Sequence, residues 1–144
     1  FEAVRDLGTR TLVVGFGDYR EELEGMAPPR TLFTGALEHR HLMYLLPLCE
    51  VAVVPSIFPE AFGMVAAEAA AAGCPPIVAN HSGLAEIAQG LERHYPPELR
   101  HLPSFPNGDS AELRKRLEEQ LALGPDEREA LRAAAREASV TLWS

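Results

Sequence analysis

The chain has 144 residues, 47% hydrophobic and 24% charged, which suits one globular domain with a real core and excludes a disordered or fibrous chain. Its formal net charge of -8 argues against nucleic acid or an anionic membrane as the main partner. The longest apolar run, residues 61 to 79, is broken by Glu68, Gly73 and the Pro75-Pro76 pair and cannot span a bilayer; with no recognisable secretory signal, a soluble, cytoplasmic protein is expected.

In chain order, "FEAVRDLG" reads as the last turns of a helix, and the opening Phe1 in place of Met suggests a fragment of a longer protein. Strands are expected at 11–16, 31–36, 51–56, 76–80 and 100–105, several of them continuously apolar, as for strands covered on both faces. Helices are expected at 19–26, 39–49, 62–72, 82–92, 109–123 and 126–141, with Gly8, Gly73 and Gly124 at C-cap positions and Ser110 and Asp126 as starting residues of the last two. The alternation predicts an α/β fold built on a doubly wound parallel β-sheet, with ligands at the carboxyl ends of the strands. Cys49 and Cys74 lie in apolar surroundings without metal-ligand spacing, the pattern of buried thiols in a reducing compartment.

The stretch "FPEAFGMVAAEAAAAG", residues 58 to 73, places Glu68 in a helix of small apolar residues that should be packed on most sides. Such a carboxylate is either a single exposed Glu on an alanine helix or a group that meets a cleft or hydrogen-bond donors. Glu60 shifts the balance towards the second. It stands in the loop before the helix, and Phe62, Gly63 and Met64 follow where backbone N–H groups lack intrahelical partners and the dipole is positive. Gly63 either lets a ligand approach the backbone or simply starts the helix. A phosphorylated ligand held there would meet a carboxylate at each end.

"EAFGMVAAE", set between "VVPS" and "AAAAGCPPIVAN", resembles the donor-site signature of retaining glycosyltransferases with two Rossmann-like lobes (the GT-B fold), in the large "group 1" or family 4-like set. The resemblance extends through "VVGFG", "TLFTGAL", "LCEVAVVPS" and "SGLAEI", roughly residues 10 to 90. It implies that residues 1–144 are the C-terminal, nucleotide-sugar-binding domain of such an enzyme, with the N-terminal acceptor lobe and the first part of this lobe absent. Glu60 would take the catalytic place against the transferred sugar. Glu68 would bind the ribose hydroxyls, the amides of Phe62, Gly63, Met64 and Val65 would hold sugar and diphosphate, and the turn around Leu37 would pack near the nucleobase. The implied reaction transfers sugar from a nucleoside diphosphate to an unspecified acceptor with retention of configuration, needs no cofactor and no metal, and leaves room for membrane-surface association through the other lobe. In the family an Arg and a Lys that grip the diphosphate precede the stretch matching Phe1, so this polypeptide alone is expected to bind donor weakly and not to catalyse. Ser82-Gly83 stands where many relatives have two glycines, and residues 93 to 107 depart from the usual short hairpin.

Other readings are less well supported. The five histidines never show ligand spacing on one face, although His81 falls at a strand's carboxyl end, where it can line the cleft. No Gly-x-Ser-x-Gly elbow supports a Ser-His-Asp triad, and "GFGDYREELEG" lacks the full dinucleotide fingerprint. Lys115, the only lysine, lies in a mixed-charge run that reads as a solvated face, and Trp143 reads as a core anchor. A nucleotide-sugar epimerase matches the signature less well, and a non-catalytic doubly wound module binding a nucleotide or a protein is the alternative from another class.

Overall fold

The computed structural model describes residues 1–15 and 17–143. Its strands are β1 (Thr11–Val14), β2 (Thr31–Gly35), β3 (Ala52–Val54), β4 (Pro76–Ala79) and β5 (Ser104–Phe105). Its helices are α1 (Arg20–Met26), α2 (His39–Leu45), α3 (Met64–Ala71), α4 (Ser82–His94), α5 (Ser110–Leu121) and α6 (Pro125–Trp143). Phe16, the expected last residue of the first strand, lies outside the described residues. Every strand pairing is parallel, as the alternation of strands and helices demands. Among the described residues the strands form two sheets, β1-β2 and β3-β4-β5, so β1 and β3 each carry an edge with no strand partner.

The core belongs to the second sheet and its helices. Strand β4 lies between two partners and is buried at all four residues, which explains its continuous apolar sequence. Helix α3 packs on β3 and β4, α4 on β4 and α5 on β5, while α6 lies across α3 and α4. Alanines suit α3 because four of them, Ala66, Ala67, Ala69 and Ala70, are buried between the sheet and α6. By contrast α1 and α2 bury no residue completely.

Several ends differ from the sequence reading for identifiable reasons. Residues 1–8 form turns rather than a helix, closed by Val4 and Arg5 N–H groups on the Phe1 carbonyl. The helix expected over 39–49 stops at Leu45 and tightens into a 3-10 turn, Leu46–Leu48, around Pro47. Helix α5 starts at Ser110 as expected, with Asp109 capping it, its carboxylate accepting the Glu112 N–H at 3.0 Å. Helix α6 begins at Pro125, whose missing N–H costs nothing in a first turn, and the Gly124 carbonyl accepts from Arg128 N–H instead of ending the preceding helix. Gly73 does end α3 in the left-handed region, φ +76°. Its carbonyl accepts from Arg132 at 2.6 Å, and the same guanidinium reaches the Cys49 carbonyl at 3.2 Å, so one side chain of α6 ties two chain reversals together. In the 93–107 segment, Tyr95, Leu99, Leu102 and Phe105 turn inward around a 3-10 turn at Pro97–Leu99. Trp143 packs against the core beside Gly90, where a Cβ would come within 2.9 Å of the indole.

Cys74 is fully buried, whereas Cys49 is only half-buried. Burial, with a smaller contribution from Cys49, pushes the Cys74 thiol up to about 12 against the opposing pull of Arg132; burial also raises Cys49. Near pH 8 the folded protein should therefore leave Cys74 unmodified by iodoacetamide and the denatured protein should not, which mass spectrometry of the labelled chain checks. Because the folded-state value is raised, the Cys74 contribution to stability is present below the thiol's ordinary value of 9.0 and is lost as pH rises through about 12.

Candidate functional site

The loop after β3 and the start of α3 bring the two glutamates of the signature to one region. Gly63 adopts φ +81° and ψ +48°, a left-handed conformation that turns the chain into the helix, so α3 begins at Met64 rather than at residue 62. A Cβ on Gly63 would lie 2.8 Å from Leu84 Cδ2 and 3.4 Å from Ile87 Cγ1. The glycine is thus explained by backbone conformation and by packing against α4. Ala67 N–H bonds the Gly63 carbonyl at 3.2 Å, which leaves the amides of Met64, Val65 and Ala66 ahead of the first helical acceptor. Phe62, Met64 and Val65 are exposed, so the positive end of α3 is open to solvent.

Glu60 is held from several directions. Its carboxylate Oε1 accepts from Ser56 Oγ at 2.7 Å, its N–H donates to Ser82 Oγ at 2.9 Å, and its carbonyl accepts from Gly83 N–H at 2.8 Å. His81 extends the set, with Nδ1 3.0 Å from Ser82 Oγ and Nε2 against the Ser56 carbonyl. Gly83 is obligatory here because a Cβ would stand 2.6 Å from the carbonyl atoms of Ala61 and from Glu60 O. His81 thus stands beside the Glu60 loop, both ring nitrogens engaged by it and by Ser82.

Glu68, the only acidic residue of α3, keeps 23% of its side-chain surface between buried alanines. Its Oε1 lies 3.4 Å from His39 Nδ1, at the first turn of α2. Leu37, expected near a nucleobase, is half-buried in the β2–α2 connection two residues before His39. Glu68 is therefore neither freely exposed nor fully buried; it spans the gap between α3 and α2. His39 was not singled out by sequence spacing because 29 residues separate it from Glu68.

Two grooves lie elsewhere, one of about 440 Å³ over Arg10–Leu12 and Arg30–Leu32, the other of about 270 Å³ between the first turns, α1 and α5. Neither is lined by Glu60 or Glu68. Around the exposed start of α3 the chain thus offers free amides, with Glu60 just before the helix and Glu68 along it, groups suited to a ligand carrying both an anionic group and hydroxyls. Among the described residues no three His, Cys, Asp or Glu side chains gather as a metal site. Among the same residues neither glutamate pairs with an Arg or Lys, and no helix is long and apolar enough to cross a membrane.

Parallel strands alternating with helices, with the paired glutamates beyond the end of a strand, define a Rossmann-like lobe of the GT-B class, and comparison with known proteins agrees. The family model described as glycosyl transferases group 1 matches residues 2–138, and the chain belongs to that family. A glycogen synthase of Mycobacterium tuberculosis is 40% identical over 84 residues, 55% of this chain and 20% of that protein. An uncharacterized glycosyltransferase of Methanocaldococcus jannaschii is 36% identical over 83 residues, 54% of this chain and 21% of that protein. Sucrose-phosphate synthase from Thermosynechococcus elongatus superposes with a TM-score of 0.74 at 28% identity, over 94% of this chain and 34% of the synthase. HepE of Anabaena, in complex with UDP-glucose, shares the fold with a TM-score of 0.77 at 22% identity, over 96% of this chain and 38% of HepE. The chain thus spans about a fifth of these curated relatives and about a third of these solved structures.

Proposed function

We propose that this chain is the nucleotide-sugar-binding lobe of a glycosyltransferase that works with a second lobe to pass the sugar to an acceptor with retention of configuration. The observation that carries the reading is the pair Glu60 and Glu68 flanking the open N-terminus of α3, the first fixed by Ser56 and the second half-buried. The HepE complex with UDP-glucose supports a nucleoside-diphosphate sugar as the ligand class. In this reading the amides of Phe62 to Val65 meet sugar and diphosphate, Glu68 binds the ribose, Leu37 lies by the base, and Glu60 faces the sugar. Loss of the nucleoside diphosphate builds negative charge on phosphate and positive charge on the anomeric carbon; helix amides stabilise the first and a carboxylate the second. No cofactor or metal enters the scheme. In this reading the lobe alone binds donor weakly and does not turn over, because the second lobe supplies the acceptor site.

The test is an amide NMR titration with UDP-glucose, ADP-glucose and GDP-mannose. The expected result is a set of saturating shifts confined to Leu37, Phe62 to Val65 and Glu68. Shifts scattered over α5 and α6, or none at millimolar ligand, would count against the reading.

A further inference from the structure

We infer that His81 and Ser82 are positioning residues that, with Ser56, lock the Glu60 loop into a closed hydrogen-bonded ring; the inference rests on the proposed donor role of that loop. The ring follows from donor and acceptor chemistry. A carbonyl only accepts, so the His81 nitrogen against the Ser56 carbonyl, Nε2, carries a proton. In the neutral imidazole Nδ1 is then an acceptor, and it takes the Ser82 hydroxyl proton across 3.0 Å. Ser82 Oγ in turn accepts the Glu60 N–H at 2.9 Å, and the Glu60 carboxylate accepts from Ser56 Oγ at 2.7 Å, which closes the circuit on the residue where it began. Glu60 N–H, the Ser82 hydroxyl and the His81 ring form a continuous run of hydrogen bonds to the Ser56 carbonyl, in which each bond polarises its neighbour.

Backbone conformation gives an independent reason to assign Ser82 this task. Ser82 sits at φ +48°, a left-handed conformation that glycine adopts freely and serine does not. A serine retained there is explained by what its hydroxyl does. Two separate segments, the β3–α3 loop and the β4–α4 junction, are thereby tied at Glu60, which fixes one carboxylate oxygen before any ligand arrives.

Ser82→Gly separates this role from a merely structural one. Removing the strain should leave the thermal midpoint unchanged or higher, while hydrogen exchange at the Glu60 amide accelerates about tenfold for the loss of one hydrogen bond. In the wild-type protein the ring nitrogens of His81 should show the Nε2–H tautomer in the neutral form. His81→Phe, which keeps a ring but no nitrogen, should accelerate the same amide; should it fail to fold, Ser82→Gly carries the test. Unchanged Glu60 exchange in Ser82→Gly, or an Nδ1–H tautomer in the wild type, would overturn the proposal. Parallel titrations with UDP-glucose keep the two readings apart. A wild type that does not bind but shows the tautomer and the exchange effect retains the ring and loses the donor site.

Discussion

Replacing Gly83 with alanine is expected to lower the thermal midpoint sharply and to abolish nucleotide-sugar binding. The added Cβ would sit 2.6 Å from the backbone carbonyl atoms of Ala61 and from Glu60 O, while the Gly83 N–H is itself bonded to that same Glu60 oxygen at 2.8 Å. Backbone meets backbone, so no side-chain rotation relieves the overlap, and α4 must lift from the Glu60 loop. Relief of this kind costs about 3–5 kcal/mol, roughly 10–15 °C in a domain of this size. Gly25, inside α1 with open space around it, is the control: Gly25→Ala should be neutral or stabilising by about 0.5–1 kcal/mol. Equal thermal midpoints for the two variants would show that the Glu60–Gly83 junction is not the tight contact described here.

Glu60→Gln should slow sugar transfer on the order of 10²- to 10³-fold in the two-lobe enzyme while nucleoside-diphosphate affinity is little changed. Glutamine preserves the shape and can still accept from Ser56 Oγ, so the loop stays in place. What disappears is the negative charge that opposes positive charge growing on the sugar. Since that charge develops only towards the transition state, the loss should fall on kcat rather than on KM. A variant with unchanged kcat would remove Glu60 from the chemistry and leave it a loop anchor.

The sequence singled out Glu60 and Glu68 because a carboxylate amid alanines and a glycine at a helix start are local signals, and the structure sets them before and within α3. Strand and helix order was legible for the same reason; β4, buried at every residue, reads directly as an apolar run. Element ends were not, since they depend on single backbone angles. Gly63 in the left-handed region delays α3 to Met64, and Pro125, not Asp126, opens α6. The turns of residues 1–8 show helical composition without helix, because the pattern alone does not say what the segment packs against. Long-range partners escaped almost entirely. Ser56 and Ser82 meet around Glu60, and His39 meets Glu68, across separations that only the fold closes. Arg132, which gathers carbonyls from two distant chain reversals, carries no local signal of that role.

The most direct measurement of the central claim is calorimetric titration of the wild type and Glu68→Ala with UDP-glucose, ADP-glucose and GDP-glucose. One preferred base is expected for the wild type, and an affinity at least about tenfold weaker in Glu68→Ala, the scale of a lost hydrogen bond to a charged group, with thermal unfolding nearly unchanged. Equal affinity for the same ligand in both folded proteins would contradict it, leaving Glu68 as no more than the partner of His39.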